Sequence, residues 1–424
     1  MRAIVYPASL SGSQVAPASK SSMQRACAAA LLHHGKTQIF NPGHSNDDLA
    51  AMDVIQKLGA KVQVHSGHIE VNANGVQPIG PEMNCGESGL GIRMFTPIAA
   101  LSNQPITIQG KGSLVKRPMH FFDEIFPSLG VQIQSNNGYL PIAIQGPLKP
   151  SDITVDGSLS SQFLTGLLMA YAAADATGST IKVNHLKSKP YIDLTLDVLK
   201  HFGWEVNHQQ HEQFNFKSRA KVNETIQYTV EGDWSGAAFL LVAGAIAGPI
   251  TVKGLQLHST QADKAVMNAL KSANAAISFI EEDDILIGAN EDGLKAFDFD
   301  ATDCPDLFPP LVALASLCKG VTTIKGVNRL AHKESDRGLT LQTEFAKLGV
   351  TIILEADLMK IEGVEKIQAN SVFSQHDHRI AMACGVAALR ATGPIEITEA
   401  EAINKSYTDF FEHLKHLGAK VDIQ

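Results

Sequence analysis

One pattern recurs along the whole chain and limits its fold more than any other feature: an apolar helix end, a glycine, then an alternating strand. It reads IQKLGAKVQV around Gly59, FPSLGVQIQ around Gly130, LKHFGWEVN around Gly203, FAKLGVTIILE around Gly349 and LKHLGAKVDI around Gly418. A sixth copy, LKSANAAISF, carries Asn274 where the others have glycine. Asparagine is the next most tolerant residue for the left-handed position that closes a helix, so the exchange keeps the same backbone. Successive copies lie about seventy residues apart, and six of them use up the chain. The period exceeds that of solenoid units and polar end caps are missing, which predicts two three-unit domains rather than an extended array.

The helices entering these turns carry apolar stripes. Ile192, Leu196, Leu199 and Phe202 follow one face, as do Phe410, Leu414 and Leu417. The strands leaving them alternate, with Val62 and Val64 flanking Gln63 and Val421 and Ile423 flanking Asp422, so one sheet face is expected to be buried. Turn-forming segments at Pro17-Ala18-Ser19 and Val230-Glu231-Gly232-Asp233 are the natural crossing points. They divide the chain into one lobe of residues 19–232 and another of residues 1–18 with 233–424, the N-terminal strand crossing over to the second.

A formal charge of −8 argues against a general nucleic-acid binder, which requires a broad basic surface. It leaves room for a small anionic substrate in a locally positive pocket. Cys27, Cys85, Cys304, Cys318 and Cys384 form no Cys-x-x-Cys pair and read as thiols in a reducing compartment. The N-terminus does not resemble a signal peptide. The most apolar run, Ala237 to Ile246, is too short for a bilayer and fits a buried helix. A cytoplasmic protein without membrane association is expected.

Charged and hydroxyl side chains gather at expected helix starts in both halves. ASKSSMQR places Lys20, Ser21 and Arg25 where free backbone N–H groups and the helix dipole favour phosphate. NCGESGLGIRMF is a glycine-rich turn leading to Arg93, with Gly86, Gly89 and Gly91 permitting close approach of a ligand. Arg117 precedes a proline and is expected in an extended loop. Ser160, Ser161, Gln162, Ser188 and Tyr191 offer neutral donors, although serines before helices more often serve only as caps. In the second half, Asp303 and Asp306 flank Pro305, and AHKESDRG crowds Lys333, Glu334, Asp336 and Arg337 together. By itself that last run reads as a solvated helix start with an i,i+3 ion pair. HDHR holds two histidines with no third ligand nearby, a poor zinc set, so Arg379 reads as a cation at the mouth of a buried helix. Lys405 has the same character.

SKSSMQR, SGLGIR, KRP, SSQF, SKPYIDLTL, the Pro305-Asp306 pair, KESDR, DHR and NKSYTDFF, in this order, resemble the enolpyruvyl transferase family, and within it the 5-enolpyruvylshikimate-3-phosphate synthases. The resemblance implies a two-domain inside-out α/β barrel of six βαβαββ repeats, three per domain, with the active site in the cleft between them. It implies transfer of the enolpyruvyl group of phosphoenolpyruvate to the 5-hydroxyl of shikimate 3-phosphate by addition and elimination through a tetrahedral intermediate. The shikimate 3-phosphate site would comprise Lys20, Ser21, Arg25, Ser160, Ser161, Gln162, Ser188, Tyr191, Asp306 and Lys333. Phosphoenolpyruvate would meet Lys20, Gly89, Arg117, Gln162, Arg337, Arg379 and Lys405. Asp306 would act at the hydroxyl and Glu334 at the methylene carbon, with Lys20 assisting. No metal or cofactor is implied, and a monomer is expected. Such a concentration of cations would repel itself when empty and favour an open state.

The family's glycine-rich turn usually reads Asn-Ala-Gly-Thr followed by Met-Arg-Pro. Here Glu87, Ser88, Gly89 and Leu90 stand in the turn and Met94 replaces the proline, which leaves sensitivity to glyphosate, a ligand of the family's phosphoenolpyruvate site, open. Arg329 also stands where an asparagine is common. The sibling branch acting on UDP-N-acetylglucosamine carries a loop cysteine before its Arg-Pro pair; GKGSLVKRP has none. A non-catalytic phospho-ligand sensor is the remaining alternative.

Overall fold

The computed structural model describes residues 1–331 and 333–424. They form two compact units, one of Lys20–Val230 and one of Met1–Ser19 with Glu231–Gln424. Among the described residues six four-stranded sheets, three in each unit, share one topology: a parallel pair followed by two antiparallel neighbours. In one example Glu82–Asn84 runs parallel to Pro105–Gln109, which pairs antiparallel with Tyr139–Gln145, itself antiparallel to Gln132–Asn136. Three sheets are continuous in sequence and three are completed by a distant strand. Thr225–Thr229 joins His34–Phe40, Arg2–Val5 inserts between Ile395–Thr398 and Val421–Ile423, and Ser13–Val15 joins Ile250–Lys253.

The repeated turn has one backbone solution in all six copies. The glycines at 59, 130, 203, 349 and 418 have φ of +106°, +72°, +85°, +80° and +105°, and Asn274 has +64°. At the first copy Gly59 N donates to Gln56 O at 3.0 Å and Ala60 N to Ile55 O at 2.9 Å, closing the last helical turn with the two bonds of a Schellman motif. Asn274 keeps the positive φ, and its Nδ2 donates to Gly293 O at 3.0 Å, a bond no glycine can make.

Each unit holds three helices that are buried almost throughout and pack on one another. They are Lys20–Leu32, Gly89–Ala99 and Ser161–Ala173 in one unit, and Trp234–Ala247, Phe308–Ala315 and His378–Ala388 in the other. The apolar run at 237–246 is the middle of a helix with every residue buried. Among the described residues no helix is long and apolar enough to cross a membrane.

The alternation expected of the strands after the glycines holds less well. Val64 is 74% exposed and Ile423 41%, whereas Ile69, Val71 and Ala73 on the neighbouring strand are buried. The strand after each glycine is the outermost of its sheet, with only one flank covered, so its apolar residues reach past the core. Leu196 is likewise only half-buried, and Val198 and Thr195 share the buried face with Ile192 and Leu199.

Candidate functional site

In the unit Lys20–Val230 the starts of the three buried helices meet. Ser88, which caps the second by accepting from Gly91 N, donates to Gln24 Oε1 on the first at 3.0 Å. Arg93 Nη1 donates to Gln162 Oε1 on the third at 2.8 Å, with its guanidinium over the Phe163 ring. Arg117 arrives from the turn after Gly112–Lys116 and is tied by Nη2 to Ser113 Oγ at 3.1 Å. Gly89 makes room for it: a Cβ there would lie 2.6 Å from Arg117 Nη1 and 3.5 Å from Arg93 Nη1. Two buried guanidiniums therefore stand over a helix N-terminus, an arrangement that attracts a bidentate anion. The Glu87 carboxylate is turned onto Gly112, whose added Cβ would overlap Glu87 Oε2.

Lys20 opens the first helix, and its Nζ donates to Asp47 Oδ2 at 2.9 Å. Arg25 is only 1% exposed and works as a strut. Its Nε donates to Thr195 Oγ1 at 2.9 Å, Nη1 to Ser21 O at 2.8 Å and Nη2 to Tyr191 O at 3.2 Å. It thereby holds the first turn of the helix Lys189–His201 against the first buried helix. Ser160 caps the third buried helix by accepting from Gln162 N at 3.2 Å, and Ser161 is buried beside it. Ser188 sits ahead of Lys189–His201 with φ +55° and makes no side-chain cap bond. A serine held in the left-handed region is the kind of strained position found at ligand sites.

In the other unit the ionic groups converge more tightly. Asp306 lies in the turn Pro305–Leu307 ahead of the helix Phe308–Ala315. Arg337 opens the helix Arg337–Lys347, and Asp377 caps His378–Ala388 by accepting from Arg379 N at 2.9 Å. The Asp306 carboxylate accepts from Lys333 Nζ at 3.1 Å and Arg337 Nη1 at 2.8 Å, with Arg379 Nη2 at 3.3 Å. Arg337 Nε donates to Asp377 Oδ2 at 2.9 Å, and Arg337 also pairs with Glu334. Arg379 Nη2 donates to Ser235 Oγ at 2.7 Å, which brings in the start of a third buried helix. Lys405 Nζ donates to His376 O at 2.7 Å.

Burial alone would raise the Asp306 pKa, but Arg379, Lys333 and Arg337 outweigh it and hold the carboxyl well below the usual range. Lys333 moves the other way: burial pulls it below an ordinary lysine, with Asp306 opposing. Burial opposes the charge on Arg337 too, yet Asp377, Glu334 and Asp306 raise its pKa. The repulsion expected among the cations is present, since Arg337 works against the charge on both Lys333 and Arg379, but it is offset by Asp306, Glu334 and Asp377 standing among them. An arriving anion would compete with built-in carboxylates rather than discharge bare cations.

A family model described as EPSP synthase (3-phosphoshikimate 1-carboxyvinyltransferase) matches residues 5–414. The 3-phosphoshikimate 1-carboxyvinyltransferase of Clostridium beijerinckii is 35% identical over 428 residues, covering 99% of this chain and 98% of that protein. The chain belongs to the EPSP synthase family. The enzyme of the same name from Clostridioides difficile is 34% identical over 430 residues, with 99% of this chain and 98% of that protein covered. Among solved structures, EPSP synthase from Acinetobacter baumannii superposes with a TM-score of 0.79 at 24% identity over 100% of both chains. The enolpyruvyl transferase NikO from Streptomyces tendae does so at 0.79 and 17% identity, over 99% of this chain and 98% of that one. At such identities the likeness speaks for the fold, the two-domain inside-out α/β barrel of the EPSP synthases, with sheets outside and helices within each unit.

Within that family frame, the sequence motifs fall into one group per unit. Lys20, Ser21, Arg25, Gly89, Arg117, Ser160, Ser161, Gln162, Ser188 and Tyr191 lie in one, and Asp306, Lys333, Glu334, Arg337, Arg379 and Lys405 in the other. Four contributors were missed as site members. From sequence, Arg93 is marked only as a cation near a glycine-rich turn. Asp47 and Ser235 had no motif to mark them. Asp377 lies inside HDHR, a run whose sequence marks the histidines and Arg379 instead. Of those histidines, His376 pairs with Glu399 at 2.6 Å, while His378 is buried in the helix start.

Proposed function

We propose that this chain transfers the enolpyruvyl group of phosphoenolpyruvate to the 5-hydroxyl of shikimate 3-phosphate and releases inorganic phosphate. The observation that carries the reading is the Asp306 cluster. A carboxylate kept ionised beside Glu334 and three cations is suited to a reaction in which positive charge builds at C2 of one substrate while phosphate leaves.

In this reading the hydroxyl oxygen adds to C2, its proton passes to a carboxylate, and C3 gains a proton. The tetrahedral intermediate then loses a proton from C3 and expels phosphate, so protons balance over the cycle. Asp306 serves the hydroxyl, Glu334 the C3 carbon, and Lys20, held by Asp47, assists proton transfer. Arg117, Arg337, Arg379, Lys405, Gln162 and the Gly89 N-terminus receive the phosphate and carboxylate of phosphoenolpyruvate. Ser21, Ser160, Ser161, Ser188, Tyr191 and Lys333 receive the phosphorylated ring, with Gln162 alongside. Arg25 supports that set by fixing the Tyr191 turn. The protein acts as a cytoplasmic monomer.

The test is phosphate release by purified protein given shikimate 3-phosphate and phosphoenolpyruvate. Release that requires both supports the proposal. Release with UDP-N-acetylglucosamine in place of the shikimate ester, or binding without turnover, rejects it.

A further inference from the structure

The hairpin of Val206–Gln209 and Gln213–Phe216 brings two histidines to the helix Lys189–His201. One ligand atom each from Asp193, His208 and His211 lies within 4.8 Å of the other two. We propose that these three side chains form a binding site for a divalent first-row cation of the zinc type.

The hairpin is built in a way that aims both imidazoles at the helix. Its turn closes with Glu212 N donating to Gln209 O at 2.8 Å, and Gln210 and His211 occupy the two central positions with φ of +50° and +62°. Glycine and asparagine ordinarily fill such positions, so the chain accepts backbone strain to place His211 there. As a result the His208 and His211 rings lie 4.1 Å apart, and His211 Nε2 donates to Asp193 Oδ1 at 2.6 Å. His208 Nδ1 accepts from His211 N at 3.1 Å, which holds that ring against the turn; a bound ion would take the place of this bond or use the other ring nitrogen.

Two imidazoles and one carboxylate are a borderline-soft nitrogen and oxygen set, which selects zinc, cobalt or nickel over calcium and magnesium. Zinc bonds of about 2.0–2.2 Å place tetrahedral ligand atoms a little over 3 Å apart, so modest side-chain rotations would close the set. The His211 proton that bridges to Asp193 would move to the other ring nitrogen, leaving Nε2 for the ion. Asp193 and His211 are part-buried and His208 is exposed, so the ion has a way in and solvent can fill the remaining position. A bound ion would tie the hairpin to the helix whose first turn supplies Tyr191 O to Arg25. Its chelation does not depend on which substrates the chain takes.

Equilibrium dialysis of the tag-free protein against Zn²⁺, and titration with Co²⁺ followed by its visible absorption, test the site. The wild type should bind one ion per chain more tightly than the double variant His208→Asn/His211→Asn. Asp193→Asn should weaken binding by about 10-fold or more, as losses around metal sites do. Zn²⁺ should raise the thermal midpoint of the wild type and leave that of the double variant unmoved. His258→Ala, an exposed histidine elsewhere, should bind as the wild type does. Far-ultraviolet circular dichroism confirms that the variants are folded, since the altered residues lie on a surface hairpin. Equal binding by wild type and double variant, or no binding by either, overturns the proposal.

Discussion

Arg337 and Asp377 meet in a two-point bond, Nε to Oδ2 at 2.9 Å and Nη2 to Oδ1 at 3.3 Å, with neither side chain exposed beyond 1%. The same carboxylate accepts from Ser335 Oγ and caps the helix His378–Ala388. Removing it would leave a guanidinium buried with one of its counter-ions missing, which typically costs about 3–5 kcal/mol. Asp377→Ala should therefore lower the denaturation midpoint markedly. Asp377→Asn keeps the cap oxygen and should cost less. If the alanine variant unfolds at the wild-type denaturant concentration, the bond does not hold the unit together.

Gly89 and Arg117 give a prediction that separates binding from folding. The missing Cβ is the space in which Arg117 Nη1 sits, 2.6 Å from where that carbon would be. The φ of Gly89 is not among the positive ones, so alanine is tolerable to the backbone and the penalty falls on the guanidinium. Gly89→Ala should leave stability close to wild type while displacing Arg117. For the proposed activity, KM for phosphoenolpyruvate should rise by about 10-fold or more, equivalent to roughly 1.4 kcal/mol. KM for shikimate 3-phosphate should change much less. Equal rises in both constants would mean that Gly89 does not shape the site for one substrate alone.

Arg25 and Tyr191 illustrate a residue whose place was legible and whose work was not. A lysine keeps the charge at position 25 but cannot hold Thr195 Oγ1, Ser21 O and Tyr191 O together. Arg25→Lys should lower the thermal midpoint, consistent with a loss of about 2 kcal/mol or more from charged hydrogen bonds. It should also weaken shikimate 3-phosphate binding through the displaced helix turn. A variant of wild-type stability with weakened binding would make Arg25 a direct ligand instead.

The sequence made the fold legible because the repeated helix end leaves one backbone answer. Five glycines and Asn274 all take positive φ, so a short local signal implied six copies of a large unit. Burial on the outermost strand of each sheet departs from the expectation, as at Val64, because alternation shows which residues share a face but not whether that face is covered. In the site, cations announced themselves through motif and position. Their counter-ions were less evenly marked: Asp306 and Glu334 stand in motifs, Asp377 lies in DHR without a role of its own and Asp47 has no motif, so only the folded chain reveals which carboxylate neutralises which cation.

Asp48 and Ser45 yield a pH dependence away from the ionic clusters. Ser45 caps the helix Asn46–Lys57, and both its Oγ and its N donate to Asp48 Oδ2, at 2.6 Å and 3.1 Å. Oδ1 is buried with no hydrogen-bond partner among the described residues. Burial pushes the Asp48 pKa up to about 6 from an ordinary 3.8, against the Ser45 bonds and Lys20. The native state therefore holds its proton to higher pH than the unfolded chain does. Stability must fall as pH rises from the unfolded value to the folded one, by roughly 3 kcal/mol at most, and stay level above it with respect to this group. Asp48→Asn keeps an oxygen for Ser45 and removes the titration. Relative to wild type, the variant should gain stability between pH 4 and pH 7 in denaturant unfolding, and a difference that stays constant over that interval would show that Asp48 is ionised throughout.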